Sequence, residues 1–288
     1  MVHPSGLTGG FTTAGVWHAR SYVLSYCHTP TPPEEFEPYE DNPPLFGTAS
    51  LVSKTFSGPG LASRTWTYAY SPAQGSTSYD ACAASQTCAA TAWVDVTDPE
   101  GNRTRHTHST RFDATETKLQ QVDVYQGANT LLRSETRGYA ASNAGPYPSL
   151  LGGSMINGGH NGATGSTWTP LNAKTISQQG VNFAWQASSF DAYANALSVT
   201  RSSSLGYSRT DATGYHHDIA KWVIGQVSSS TNSNTGLVES QTDYGANALP
   251  WKTYAFGKLQ QTLAYNANGT LLTVKDGNNN TTTFGNWK

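Results

Sequence analysis

Tyr265-Asn266-Ala267-Asn268-Gly269-Thr270-Leu271-Leu272-Thr273-Val274-Lys275-Asp276-Gly277-Asn278-Asn279-Asn280-Thr281-Thr282-Thr283 reads as two turns flanking one short strand. Leu272 and Val274 alternate with Thr273 and Lys275, the period of a half-buried strand. Asn266 and Asp276 each bring a short polar side chain that can accept backbone amides about two residues on. The Gly and Asn residues that follow tolerate positive φ. An aromatic, Tyr265, stands immediately before the first turn and is placed to pack on neighbouring strands.

The same pattern recurs along the chain. Counted from an Asp or Asn, position +3 is Gly, Ala or Asn, +4 is Asn or Thr, and +6 is Leu or Thr. Copies open at Asp98 (Gly101, Asn102, Thr104), Asp191 (Ala194, Asn195, Leu197), Asp243 (Ala246, Asn247, Leu249), Asn266 (Gly269, Thr270, Leu272) and Asp276 (Asn279, Asn280, Thr282). Two weaker copies start at Asp113, with Glu116 in the Gly position, and at Gln126. Phe112, Tyr125, Phe190 and Tyr265 directly precede four of these seven starts. Each unit exposes an apolar strand face that only a neighbouring unit can cover, which is how a repeat array propagates a sheet.

The stretch from Tyr265 to Thr283 resembles the Tyr-Asp repeat of the bacterial RHS/YD-repeat (rearrangement hot spot) family. So do Phe190-Asp191-Ala192-Tyr193-Ala194-Asn195 through Arg201, and Tyr215-His216-His217-Asp218 leading to Trp222-Val223-Ile224-Gly225-Gln226-Val227. The likeness is best over 90–135 and 185–288. Asn266 stands where the family has Asp, Ala194 and Asn279 replace Gly, and Glu116 is a poor left-handed residue. The resemblance implies a curved or spiralling antiparallel sheet built from hairpin repeats. It also implies a non-catalytic shell that, in full-length relatives, encloses a C-terminal toxin or is presented at the cell surface. The expected partner is then the remainder of a longer polypeptide or its cargo domain. The array starts abruptly and stops at Phe284-Gly285-Asn286-Trp287-Lys288 without a cap, as an incomplete piece of such a protein would.

Composition supports an all-β fold. Charged residues are 12% of the 288, against about 25% in an average domain, and polarity rests on Ser, Thr, Asn, Gln and Gly with 15 Tyr and 8 Trp. A net charge of −2 offers no basic footprint for nucleic acid. No apolar run is long enough for a membrane-spanning helix. Met1-Val2-His3-Pro4 lacks the basic and apolar regions of a secretory signal, although a secreted or cell-surface location is what the resemblance implies. Two breakers divide the chain. One is a Pro/Glu-rich loop, Thr29 to Pro44, within an N-terminal segment 1–48, and the other is a Gly/Asn-rich stretch over 143–167. They leave repeat regions at 49–142 and 168–288. Cys82 and Cys88, with five residues between them in a small-residue loop, are close enough for a disulfide in an oxidising compartment, with Cys27 unpaired.

Candidate chemistry is sparse. His106 and His108 share a strand face but sit among Arg103, Arg105 and Arg111, which disfavour a metal. His216-His217-Asp218 places adjacent side chains on opposite faces of a strand, and Asp218 to Trp222 can form a single helical turn. Asp95, Asp98, Asp191 and Asp276 supply carboxylates for glycoside chemistry, yet three of them already have turn roles. Trp66, Tyr68, Trp168, Trp185 and Trp251 would serve a sugar-stacking platform in an adhesive or glycan-binding module. No phosphate-binding loop, nucleophile elbow or zinc-protease motif is present. The expectation is no enzyme, no cofactor and no metal, with a glycan-binding module and then a glycoside-active enzyme as the alternatives.

Overall fold

The computed structural model describes residues 3–23, 44–76, 89–112, 115–149 and 168–285. Cys82 and Cys88, Asp113 and most of the Pro/Glu-rich loop lie outside them. Among the described residues the chain is all-β: seventeen strands pair antiparallel in an open sheet that is not closed into a barrel, with one 3-10 turn at Ile219–Lys221.

Two compact units share the strands, Met1–Ser142 with Ser149–Asn182, and Asn143–Pro148 with Phe183–Lys288. The first contains β1 (Thr8–Ala19), β2 (Leu45–Gly58), β3 (Leu61–Tyr70), β4 (Thr91–Thr97), β5 (Arg103–Ser109), β6 (Leu119–Gln126), β7 (Thr130–Tyr139) and β8 (Leu171–Gln178). β8 belongs here through its ladder with β7, in which Glu135 faces Ile176 and Arg137 faces Lys174. The sequence segmentation had grouped it with 168–288. β9 (Val181–Phe190) begins in the first unit and continues in the second, followed by β10 (Ala196–Ser203), β11 (Ser208–Asp218), β12 (Val223–Asn232), β13 (Leu237–Tyr244), β14 (Pro250–Ala255), β15 (Lys258–Tyr265), β16 (Leu271–Asp276) and β17 (Thr281–Thr283).

Within each unit a strand's extensive contacts are with the strands next to it in sequence. Among the described residues no second layer packs on the sheet there, and the buried apolar ones are few: Val23, Ala140, Tyr147, Ala187, Phe190, Val199 and Ala248. Cross-strand pairs must therefore contribute much of the cohesion. In the first unit Asp95 faces Arg105, which in turn faces Asp123. Asp95 is 7% exposed and is held by Arg105 Nε at 2.7 Å and Arg103 Nη1 at 3.4 Å. Buried Asp123 accepts both bonds from Gln121 Nε2, at 2.9 and 2.8 Å. On the opposite face Val94, His106, Val122 and Glu135 line up, and buried Glu135 is clamped by Arg133 and Arg137 at 2.5 and 2.8 Å. A carboxylate this dry needs such partners, because its desolvation otherwise costs several kcal/mol. Register shifts interrupt most ladders, for example between Thr12 and Thr13 and between Gly214 and Tyr215, and each adds local twist.

Candidate functional site

The repeat turns have one backbone geometry. In the turns opened by Asp98, Asp191, Asn266 and Asp276, the first residue's N–H donates to the fifth residue's carbonyl, and the fourth residue's N–H donates to the first residue's carbonyl. The fourth residue has positive φ in each: Gly101 at 83°, Ala194 at 60°, Gly269 at 84° and Asn279 at 71°. Where the first residue is Asp, its carboxylate reinforces the loop. Asp191 Oδ1 accepts the amides of Tyr193 and Asn195 at 2.8 and 2.9 Å, and Asn195 Nδ2 donates to Oδ2 at 3.0 Å. Asp98 binds Glu100, Asn102 and the Asn102 side chain in the same way, and Asp276 binds Asn278, Asn280 and the Asn280 side chain. At Asn266 the side chain instead donates to Thr270 Oγ1 at 2.9 Å, and Asn268 Oδ1 accepts the Thr270 amide.

These bonds set the carboxyl groups. Burial pushes Asp191 up, but the bonds from Asn195, Tyr193 and His217 outweigh it and hold the group below the ordinary carboxylate range. Asp98 shows the same balance, with Asn102 the main counterweight, and Asp276 is lowered chiefly by Asn280.

Asp243 corrects the pattern. It lies inside β13 opposite Lys252, where its carboxylate accepts Gln241 Nε2 at 2.9 Å and Tyr254 Oη at 3.2 Å. The turn opens two residues later: Gly245 N donates to Leu249 O, Ala248 N donates to Gly245 O, and Ala248 has φ 57°. Asn247 is thus the third residue of that turn and not the fifth. At Gln126 the chain turns through Gly127, φ 60°, with Gln126 facing Thr130, so the span matches the other turns but the positive φ falls on the second residue and not on the fourth. Near the Asp113 copy, Thr117 has φ 64° and Glu116 binds Arg20 Nε at 2.6 Å. The aromatics at these starts are anchored separately. Phe190 packs edge-on against Tyr147 at 5.8 Å, Phe112 donates its amide to Ser21 O, and Tyr265 Oη donates to Pro250 O at 2.7 Å.

That last bond is one of a set that sequence reasoning missed. Tyr70 donates to Leu51 O, Tyr139 to Leu119 O, Tyr215 to Ala196 O and Tyr244 to Val227 O, at 2.7 to 3.1 Å. In each case a tyrosine on one strand closes onto the preceding strand's backbone. Burial raises the pKa of Tyr215, Tyr244 and Tyr265, so the phenols remain donors. The available signal was Tyr in the final residue of four of these five strands.

The adjacent histidines His216 and His217 are both engaged. His217 Nε2 lies 2.9 Å from Asp191 Oδ2, while its Nδ1 accepts the Gly225 amide at 3.0 Å. A nitrogen that accepts a backbone N–H cannot carry a proton, so His217 is the neutral Nε2–H tautomer donating to Asp191. Neither nitrogen is open to serve as a general base. His216 stacks on Tyr244 at 5.1 Å, and Asp218 caps the 3-10 turn by accepting the Lys221 amide. Arg103 and Arg105 reach Asp95 on the face away from His106. Among the described residues no group of three His, Cys, Asp or Glu side chains is arranged to hold a metal. Of the candidate acids, Asp95 is held by arginines, and Asp98, Asp191 and Asp276 are bound into turns. Among the candidate aromatics, Trp66 and Trp251 are each faced by a lysine, Lys54 at 4.7 Å and Lys252 at 4.1 Å.

The first unit also holds a cavity of about 480 Å³ where β1, β2, β3, β4 and β5 end. Trp17, Phe46, Tyr70 and Trp93 contribute aromatic walls, and His18, His108 and Glu116 contribute polar ones. Nothing in the sequence pointed to it, because its walls come from residues as far apart as 17 and 117.

No protein-family model matches the chain, and no curated protein matches it. Among solved structures it is similar to a chain in the crystal structure of TcdB2-TccC3-Cdc42, at TM-score 0.34 and 11% sequence identity. The match covers 82% of this chain and 13% of that one, so this chain spans about an eighth of its length. A likeness of that level leaves the function to be argued from the hairpins and their turns.

Proposed function

We propose that the chain is a structural, non-catalytic wall segment of the RHS/YD-repeat type, working as part of a longer secreted or cell-surface polypeptide. Its partner is then the remainder of that polypeptide or a cargo domain carried by it. The observation that carries this reading is the single-layered sheet. Within each unit, among the described residues, strands contact their sequence neighbours and no second layer covers them, while one turn geometry recurs at Asp98, Asp191, Gly245, Asn266 and Asp276. A sheet grown hairpin by hairpin is suited to enclosing something, since its length rises with every repeat. The repeat residues Phe190-Asp191 and Tyr265-Asn266 support the family reading. The commitment of His217, Asp95 and Asp191 to structural bonds supports a non-catalytic role.

The test is cryo-electron microscopy of the polypeptide encoded by the complete natural reading frame. The expected result places residues 8–283 in the wall of a β shell that continues beyond them. A free-standing domain, with its sheet faces in solvent and no shell around it, would overturn the proposal.

A further inference from the structure

His217 fastens two parts of the second unit together, and its chemistry goes beyond a wall role. On one side its Nε2–H donates to Asp191 Oδ2 at 2.9 Å, in the turn between β9 and β10. On the other its Nδ1 accepts the amide of Gly225, on β12, at 3.0 Å. One imidazole thus ties turn to hairpin. Its side chain is 19% exposed, so a proton can reach it from solvent.

The two ends of this clip answer acid in opposite ways. An imidazolium carries a hydrogen on both nitrogens and accepts at neither, so protonation at Nδ1 removes the acceptor that the ring offers Gly225. At the other end the same proton turns a neutral bond to the carboxylate into a charge-assisted one. That end tightens. Burial pushes the Asp191 carboxyl up, but the bonds from Asn195, Tyr193 and His217 hold it below the ordinary 3.8, so it stays ionised under mild acid. Around the ring stand Tyr193 at 4.5 Å and Tyr215 at 6.3 Å. On β11 the adjacent His216 stacks on Tyr244, and Asp218 is paired with Lys221 at 2.9 Å. Among the described residues Asp191 is the carboxylate bonded to this imidazole.

The end of the hairpin has little else to hold it. Gly225 falls in a register shift, between the pairs His216–Gln226 and Asp218–Val223, and its amide goes to the imidazole. The 3-10 turn Ile219–Lys221 buries no residue. Trp222 closes it at φ 57°, an uncommon backbone for so bulky a side chain, and is 75% exposed, with Ile219 at 50%. Without the Gly225 bond the tip keeps the Asp218–Val223 pair and the cap from Asp218 to the Lys221 amide.

We propose that protonation of His217 is a conformational switch: it unfastens residues 218–225 from the Asp191 turn and frees a hairpin tip carrying Ile219 and Trp222, while the turn itself stays closed.

The test is residue-resolved amide hydrogen exchange on the whole chain across a pH series. The fraction of protonated His217 is read from its own ring nitrogen resonances, and each exchange rate is corrected for the intrinsic effect of pH. Protection at Gly225 is expected to fall about fivefold between neutral and protonated His217, the scale of one lost hydrogen bond. Tyr193 and Asn195, whose amides Asp191 accepts, should keep their protection over the same range. His217→Gln supplies an acceptor and a donor that do not titrate, so in that variant Gly225 protection should stay level where the unmutated protein loses it. Gly225 protection unchanged at full protonation of His217 would overturn the proposal. So would parallel loss at Tyr193 and Asn195, the mark of a general loosening, or a ring that stays neutral until Asp191 itself is protonated.

Discussion

The turns at Asp191 and at Gly245 share a backbone and differ in what holds it. Both close first residue to fifth and fourth to first, and both place an alanine at positive φ in fourth position, Ala194 and Ala248. At Asp191 a carboxylate gathers the amides of Tyr193 and Asn195, the Asn195 side chain and the His217 ring. At Gly245 there is no side chain to do so. The turn is therefore specified by the backbone pairing and the left-handed fourth residue, and the Asp is a reinforcement laid over it. It also explains why Asp243, two residues before Gly245, remains within β13 and serves Gln241 and Tyr254 instead.

The difference can be broken from either side. Asp191→Ala removes the acceptor for four N–H groups and should cost about 3 kcal/mol, since a hydrogen bond to a charged group is worth roughly 1.5–3 kcal/mol; urea unfolding reads it. Gly245→Asp should do the reverse. A Cβ there meets Leu249 O at 3.7 Å, an ordinary contact, so the new carboxylate can accept the amides of Asn247 and Leu249 and add about 1 kcal/mol in the same assay.

Acid should separate the two turns as well. Asp191 has a folded pKa below its ordinary 3.8, so its contribution is complete above that value and is lost as pH falls through the lower folded pKa. Amide exchange at Tyr193 and Asn195 should therefore accelerate below about pH 4 relative to exchange at Gly245 and Ala248. Equal acceleration at both turns would contradict the carboxylate's role.

Smaller effects follow at the tyrosines and the fourth residues. Tyr215→Phe, which removes a part-buried bond to Ala196 O, should cost about 1 kcal/mol. The exposed equivalent, Tyr244→Phe, should cost about half that in the same denaturation series. Ala194→Gly relieves a left-handed alanine and should stabilise by under about 1 kcal/mol. Ala248→Gly gains the same relief but gives up a methyl that is 3% exposed, so its unfolding midpoint should barely move.

Much of this was legible in the sequence. Alternation over Leu272–Lys275 and the Asn, Gly and Asp spacing marked β16 and its flanking turns, and Asp98 and Asp191 were found in frame. The frame slipped at Asp243 because the count began from an acid. Counting from the aromatic would have placed it, since Tyr244 precedes Gly245 as Phe190 precedes Asp191 and Tyr265 precedes Asn266. The tyrosine closures were not legible, because a phenol's partner is a carbonyl 15 to 20 residues earlier whose identity depends on register. The cavity was hidden for a related reason: His18 and His108 come to line one cavity only after five strands have been laid side by side.

The most direct measurement of the central claim is residue-resolved amide hydrogen exchange across 243–249. If the backbone frame sets the turn, Gly245 and Ala248 amides are slow and the Ala246 amide is fast. A protected Ala246 amide beside a freely exchanging Ala248 would put the turn back on Asp243, and the claim that the carboxylate is secondary would fail.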